Sequence, residues 1–197
     1  MKPKTSALFT VVGLWLATSA FAALSPEAEQ DLARWRSITL FAQRFDPPPD
    51  GWHRIDDDKG HLAFSMPCEP RVVYKNIEGI PLRTYICHTD TRVYQVLIAY
   101  TENVSDPEWL ETYWLGQDRG MANRLEENFG PVTLRPRLRI AYEGGLSGRQ
   151  ETFEFGDKQA EVRCLAGKQL AIMLMLMDLK SAPQGDLYDF LNSLRMN

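Results

Sequence analysis

The sequence predicts an α+β fold in which an antiparallel β-sheet is flanked by helices on both faces. From Leu62 the apolar period changes to two, as in a half-buried strand: Leu62, Phe64 and Met66 alternate with Ala63 and Ser65. Asp106-Pro107-Glu108 combines an N-cap residue, a proline and an acidic residue, which together begin a helix midway along the chain. The unbroken apolar run Ala171–Met177 is typical of a central strand covered on both faces, which requires helices on each side of the sheet.

The first 22 residues have the features of a cleavable secretory signal peptide. Lys2 and Lys4 precede the apolar run Ala7–Ala17, which is too short to cross a bilayer of about 30 Å as a helix. Ala20 and Ala22 are small residues three and one before a cut after Ala22. We therefore expect a periplasmic or secreted protein with no stable membrane span after the signal is removed. A retained membrane anchor is the alternative interpretation.

The rest of the chain is predicted to be one domain preceded by a helix. Ser25-Pro26-Glu27 supplies an N-cap and an acidic first turn, which predicts a helix from about Pro26 to Phe45. The three prolines at 47–49 end it, because they have no amide donors and force extended geometry. The predicted units are the signal peptide (1–22), the N-terminal helix with its proline-rich linker (23–51) and the main domain (52–197).

The other elements follow from apolar periodicity and turn residues. In the first half of the main domain we predict the strands Leu62–Met66, Arg71–Tyr74, Leu82–His88 and Val93–Tyr100. A helix then runs from Asp106 to about Asn128 and ends at Gly130-Pro131. In the second half we predict the strands Thr133–Tyr142, Arg149–Phe155, Glu161–Leu165 and Leu170–Asp178. A last amphipathic helix is predicted around Gly185–Arg195.

The charge balance argues against a nucleic-acid partner. The whole chain has a formal net charge of −4 at pH 7. The predicted signal peptide contains two of the basic residues and none of the acidic ones, so the mature protein is more acidic still. Binding to phosphate backbones requires clustered excess Lys and Arg.

Three cysteines, Cys68, Cys87 and Cys164, would meet an oxidising compartment. We expect Cys68 to pair with Cys87, because the residues between them are predicted to form a strand, a turn and a strand that bring the two together. The other two pairings, and three reduced and buried cysteines, are the alternatives. A closed loop of this length contributes about 3 kcal/mol in the chain-entropy model.

A candidate binding site is formed by Arg135, Arg137 and Arg139, which alternate along a predicted strand. They would project from one face about 7 Å apart, a geometry suited to anion recognition. A phosphorylated lipid head group, a glycan carboxylate or an acidic protein are possible partners of such a stripe. The alternative is a solvated sheet face, or ion pairs with Glu126 and Glu127.

No catalytic or cofactor site is predicted. His53, His61 and His88 stand at none of the spacings that bind zinc. Asp56-Asp57-Asp58 lacks the alternating ligands of a calcium loop and is interpreted as a solvated charged turn. Gly145-Leu146-Ser147-Gly148 lacks the last glycine of a nucleophile elbow in register. We therefore expect a protein that is not an enzyme and that uses no metal or other cofactor.

Two short motifs, Gly60–Pro70 and Asp189–Leu194, resemble those of PsbP-like domains. Gly60-His61-Leu62-Ala63-Phe64-Ser65-Met66-Pro67-Cys68-Glu69-Pro70 resembles the opening strand and turn of that family, with Cys68 where glycine is usual. Asp189-Phe190-Leu191-Asn192-Ser193-Leu194 resembles its C-terminal helix. The match covers about Trp52 to Leu194. The resemblance implies an antiparallel sheet flanked by helices, a role as a binding or assembly module, and no shared catalytic residue.

These observations together predict a non-enzymatic periplasmic or secreted module that contacts a protein or cell-envelope partner. A carrier or sensor of a small apolar ligand, held between helix and sheet, is the second hypothesis. An envelope hydrolase whose residues converge only in the folded protein is the third. The sequence predicts neither the partner nor the oligomeric state.

Overall fold

The computed structural model describes residues 39–41, 49–135, 137–142, 145–167, 169–180 and 185–197. The strands in these ranges are β1 (Thr39–Phe41), β2 (His53–Asp57), β3 (Leu62–Met66), β4 (Arg71–Ile77), β5 (Ile80–His88), β6 (Arg92–Tyr100), β7 (Thr133–Leu134), β8 (Leu138–Ala141), β9 (Ser147–Phe155), β10 (Lys158–Gly167), β11 (Leu170–Asp178) and β12 (Arg195–Met196). The helices are α1 (Pro107–Phe129) and α2 (Gly185–Leu191), and a 3-10 turn spans Glu102–Ser105.

The strands form two sheets. The main sheet has nine strands in the order β1-β8-β9-β10-β11-β6-β5-β4, and β7 also pairs with β9. Its pairs are antiparallel except that of β1 with β8. A small antiparallel sheet has the order β12-β3-β2. The predicted antiparallel sheet is thus confirmed.

Alternate residues of the central strand β11 face two separate cores, as the period of a strand requires. Leu174 and Leu176 belong to a first core, to which β3 and α2 also contribute. Met173 and Met175 belong to a second core, which includes Met121 of α1. The small sheet and α2 together cover the first core, which differs from the helical layers predicted on both faces.

Helix α1 begins and ends close to where the sequence predicts. Asp106 is its N-cap, and its carboxylate accepts from the amides of Glu108 and Trp109 at 3.0 and 3.3 Å. Gly130 is the C-cap, with a φ of 88° that favours glycine. Over the described part of the chain, no helix has the length and apolarity that a membrane span needs.

The predicted helix from Pro26 to Phe45 is wrong where it can be compared. Thr39–Phe41 form β1, which pairs in parallel with residues 139–141 of β8. Pairing with a distant strand has overridden the local helical pattern there. The rest of that predicted helix, the signal peptide and most of the proline-rich linker lie outside the described residues, and the division into units stays a prediction.

The predicted strand Thr133–Tyr142 is also wrong as one element. Two short strands, β7 and β8, replace it, and both pair with β9. The sequence has a proline at position 136, which has no amide to donate to a ladder. The last helix, predicted to reach Arg195, ends at Leu191 because Arg195–Met196 pair with β3 instead.

The predicted disulfide between Cys68 and Cys87 is present, with the two Cα atoms 5.8 Å apart. It joins the segment after β3 to the end of β5 and so ties the small sheet to the main sheet. Cys164 is a buried free cysteine in the second core.

The cysteine arrangement predicts the outcome of thiol labelling. We expect iodoacetamide in urea without reductant to modify one cysteine per chain, Cys164, because the other two are bonded. Labelling of all three cysteines, detected by mass spectrometry, would contradict the pairing.

We also expect the double substitution Cys68→Ser/Cys87→Ser to lower the free energy of unfolding by about 3 kcal/mol in urea titrations.

Candidate functional site

A cleft of about 590 Å³ lies at the end of the molecule where β5 begins and β6 ends. Its volume is in the range of sites that bind small molecules or single side chains of a partner. Five chain segments meet there: the β2–β3 turn, the start of β5, the end of β6, the β10–β11 turn and β12 with the residue after it. The lining residues are Lys59, Gly60, His61, Pro81, Tyr100, Thr101, Glu102, Gln169, Leu170, Met196 and Asn197.

A fully buried carboxylate, that of Asp57, lies behind one wall of the cleft. Its Oδ1 accepts from Arg83 Nη1 at 2.5 Å and from the hydroxyls of Tyr85 and Tyr100 at 2.7 and 2.8 Å. Its Oδ2 accepts from the backbone amide of Gly60 at 2.7 Å. Through these hydrogen bonds Asp57 joins the small sheet to β5 and β6. The prediction that it belongs to a solvated charged turn is wrong.

The strand registers explain why these groups converge. Arg83 and Tyr85 are two apart on β5 and point to the same face. Tyr100 ends β6, where its ring forms part of the cleft wall. Asp57 ends β2, and the turn after it returns the chain so closely that a Cβ on Gly60 would lie 2.8 Å from Asp57 Oδ2. Glycine at position 60 thus permits the amide contact.

The electrostatics keep Arg83 and the two tyrosines in one protonation state near neutral pH. Burial raises the pKa of Tyr85 to about 12, and the hydrogen bond to Asp57 acts in the same direction. Burial, and then the hydrogen bond to Asp57, also raise the pKa of Tyr100. Burial would lower the pKa of Arg83, but its hydrogen bond to Tyr85 and the charge of Asp57 raise it overall. Both phenols therefore stay hydrogen-bond donors and the guanidinium stays charged.

The Tyr100 side chain makes contacts with three charged groups. Its hydroxyl is bonded to Asp57, Lys59 Nζ lies 4.2 Å from the ring centroid, and the Arg83 guanidinium carbon lies 5.9 Å from it. Cations at these distances are attracted by the ring face. The wall is thus fixed before any ligand arrives.

The mouth of the cleft is polar. Gln169 Nε2 donates to Glu102 Oε1 at 3.2 Å, and both side chains are exposed. His61 and Asn197 are also exposed, and the amide of Asn197 donates to the His61 carbonyl at 2.7 Å. The lining thus contains charged side chains, amides and the Tyr100 side chain, and these groups are suited to bind a polar part of a ligand.

The three arginines of the predicted stripe are not brought together. Arg135 lies between β7 and β8 and forms an exposed ion pair with Glu154 at 2.7 Å. Arg137 turns inward and lies 2.8 Å from Asp118 Oδ2. Arg139 is exposed on β8. The interrupted strand breaks the alternation that the stripe required, and anion binding by Arg135 and Arg139 stays a prediction.

Arg137 instead joins a buried ionic cluster between α1 and β9. Arg149 Nη2 lies 2.6 Å from Asp118 Oδ2, and Arg149 Nε lies 3.0 Å from Glu151 Oε1. Arg137 Nε lies 2.9 Å from the same Glu151 oxygen. The Glu151 carboxylate is thus in ionic contact with both guanidinium groups, but neither of its oxygens accepts a well-aligned hydrogen bond. The Arg149 guanidinium also lies over Trp114, 5.1 Å from a ring centroid. This cluster anchors α1 on the sheet.

Burial raises the pKa of Glu151 well above its ordinary value near 4.5; the charge of Asp118 adds to the rise, while Arg149 and Arg137 oppose it. The folded protein then binds a proton at Glu151 more tightly than the unfolded chain does. Stability from this group is present below the unfolded pKa and is lost as pH rises toward the folded pKa.

We therefore expect a variant at Glu151 to change the pH dependence of stability. The free energy of unfolding of the wild type should fall between pH 5 and pH 8 by at most about 1.4 kcal/mol per pH unit from this group. Glu151→Gln should flatten that slope in urea titrations across the range. The matched control, Glu154→Gln on the same strand, removes a partly exposed carboxylate. Equal slopes in wild type and Glu151→Gln would contradict the raised pKa.

Over the described ranges, no group of three His, Cys, Asp or Glu side chains is arranged to hold a metal ion. The fold is that of a two-sheet α+β protein with a polar cleft at one end.

The comparisons with known proteins give a likeness in structure but none in sequence. No protein-family model and no curated protein matches this sequence. The solution structure of cyanobacterial PsbP (CyanoP) from Synechocystis sp. PCC 6803 is similar, with 13% sequence identity and a TM-score of 0.49. The match covers 79% of this chain and 98% of that one.

Proposed function

We propose that this protein is a non-enzymatic periplasmic or secreted binding module, which holds a polar group of a protein or cell-envelope partner in the cleft beside Asp57. The observation that carries the proposal is the preformed cleft. Its aromatic wall is fixed by a buried carboxylate, so binding a partner there costs little ordering of the protein.

The proposed location is supported by two features. The first 22 residues have the charge, length and small residues of a secretory signal. The disulfide between Cys68 and Cys87 is of the kind that persists in oxidising compartments.

A carrier or sensor of a small molecule is the second candidate, and the cleft volume of about 590 Å³ favours it. The lining favours a polar molecule over the apolar one that the sequence alone suggests. Lys59 supplies a cation, Glu102 an anion, and Gln169 and Asn197 amides, while Leu170 and Met196 supply the apolar part.

The test is capture from an envelope extract of the source organism, with a variant that fills the cleft. Thr101→Trp places an indole among the lining residues, and Asp157→Trp places the same group on the exposed β9–β10 turn at the opposite end of the sheet. We expect wild type and Asp157→Trp to retain the same partner, and Thr101→Trp to retain at least tenfold less. Equal recovery with all three proteins, or no partner with any, would count against the proposal. A small molecule seen by native mass spectrometry in place of a protein would select the second candidate.

A further inference from the structure

Strand β4 (Arg71–Ile77) forms one edge of the main sheet. Among the described residues it pairs on one side only, with β5. Five of its seven residues are exposed. The outer backbone amides and carbonyls of such a strand form a row that can pair with another extended chain. β4 has seven residues, which is long enough to pair with a further strand of ordinary length.

One face of this edge presents apolar groups. Val72 is 37% exposed and Tyr74 is 68% exposed, and they are two of the four large apolar side chains that the described residues expose. They are two apart, so they lie on the same face of the strand. Tyr74 is directly opposite Arg83 in the register, and the Arg83 guanidinium lies 5.0 Å from the Tyr74 ring centroid. The Tyr74 ring therefore packs against the Arg83 guanidinium, which also donates a hydrogen bond to Asp57.

The other face of the edge is basic. Arg71 and Lys75 alternate with the two apolar residues, and β4 contains no acidic residue, although the whole chain is acidic. In a two-fold antiparallel pairing of two copies centred on Val73 or Tyr74, Arg71 of one copy would lie opposite or diagonal to Lys75 of the other. Like charges at these positions destabilise a strand pair. The charge therefore disfavours a second copy and favours an acidic strand.

We propose that β4 receives an extended acidic segment of a partner protein, which adds to the main sheet as a further antiparallel or parallel strand. Apolar residues at every second position of that segment lie beside Val72 and Tyr74, and acidic residues at the positions between them lie beside Arg71 and Lys75. The segment is therefore one in which acidic and apolar residues alternate. This surface is separate from the cleft, and each is tested with its own variants.

The test uses the full chain and fluorescence polarisation with labelled peptides of nine residues. The first peptide alternates glutamate with valine, the second alternates lysine with valine, and the third is the acidic peptide with a central proline. We expect the first to bind at least tenfold more tightly than the other two, because binding needs both the charge and a continuous strand. We also expect amide hydrogen exchange in residues 71–77 to slow when the acidic peptide is added.

The variants locate the site. Tyr74→Ser and the double substitution Arg71→Glu/Lys75→Glu should each weaken binding of the acidic peptide at least tenfold. Arg119→Glu reverses an exposed arginine on α1, which belongs to no proposed site, and should change binding less than twofold, as should the cleft variant Thr101→Trp. Circular dichroism confirms that each variant is folded.

Three outcomes would overturn this proposal. The acidic and basic peptides bind equally, or peptide binding is unchanged in the β4 variants. Alternatively, sedimentation reveals a dimer that Tyr74→Ser dissociates, which would assign the edge to a second copy of the chain.

Discussion

Arg149→Met lowers the free energy of unfolding by about 3 to 5 kcal/mol, the cost of removing one partner from a buried ionic cluster. The Arg149 side chain is 2% exposed and lies within 3.0 Å of both Asp118 and Glu151. Methionine fills a similar volume but removes the guanidinium from Asp118 and Glu151, which keep their contacts with Arg137. The loss therefore comes from charge and not from a cavity.

The measurement is urea unfolding at pH 7, with Arg139→Met as the matched control. Arg139 is directly opposite Arg149 in the register of β8 and β9, but it is exposed. We expect the control to change stability by less than about 0.5 kcal/mol, as surface substitutions usually do. A similar loss in both variants, or a loss below about 1 kcal/mol in Arg149→Met, would show that the cluster does not anchor α1.

Asp57→Asn lowers the free energy of unfolding by about 2 to 3 kcal/mol and weakens partner capture. Asparagine keeps one acceptor oxygen, but its NH2 group replaces the oxygen that accepts from the Gly60 amide. It also leaves the Arg83 charge without its carboxylate. Because Arg83 is 22% exposed, water relieves part of this cost. The Tyr100 hydroxyl loses its charged acceptor, so the cleft wall is held less firmly.

The control for this change is Asp58→Asn, the exposed neighbour in the same acidic run. We expect it to leave both the urea midpoint and the amount of captured partner unchanged. If Asp57→Asn behaves like Asp58→Asn in both measurements, the carboxylate does not organise the cleft. A loss of stability with capture unchanged would separate the cluster from binding.

Much of the sheet could be predicted because its strands carry strong local signals. β5 and β6 are rich in β-branched and aromatic residues, and β11 is an unbroken apolar run; most side chains of these three strands are buried. The sequence does not predict β2, because Ile55 is the one apolar residue of that strand. β12 has two residues, and β1 depends on pairing with a strand about a hundred residues away, which no local pattern contains.

The site was harder to predict than the sheet. An acidic run such as Asp56-Asp57-Asp58 usually lies in solvent, and the burial of its middle member depends on side chains from β5 and β6. The ionic cluster under α1 does have a sequence signal. Arg149 and Glu151 fall on the same face of β9 as Phe153 and Phe155, so charged residues continue an apolar face. They pair with each other, and Arg149 also pairs with Asp118 of α1.

The most direct test of the cleft as the binding site is photocrosslinking in the living cell envelope. A benzophenone amino acid is placed at His61, an exposed residue at the cleft mouth, and in a separate strain at Asp157, on the turn at the opposite end of the sheet. We predict a discrete crosslinked species from position 61, reduced by Asp57→Asn and absent from position 157. Crosslinks from both positions alike, or from position 157 alone, would contradict a binding site in the cleft.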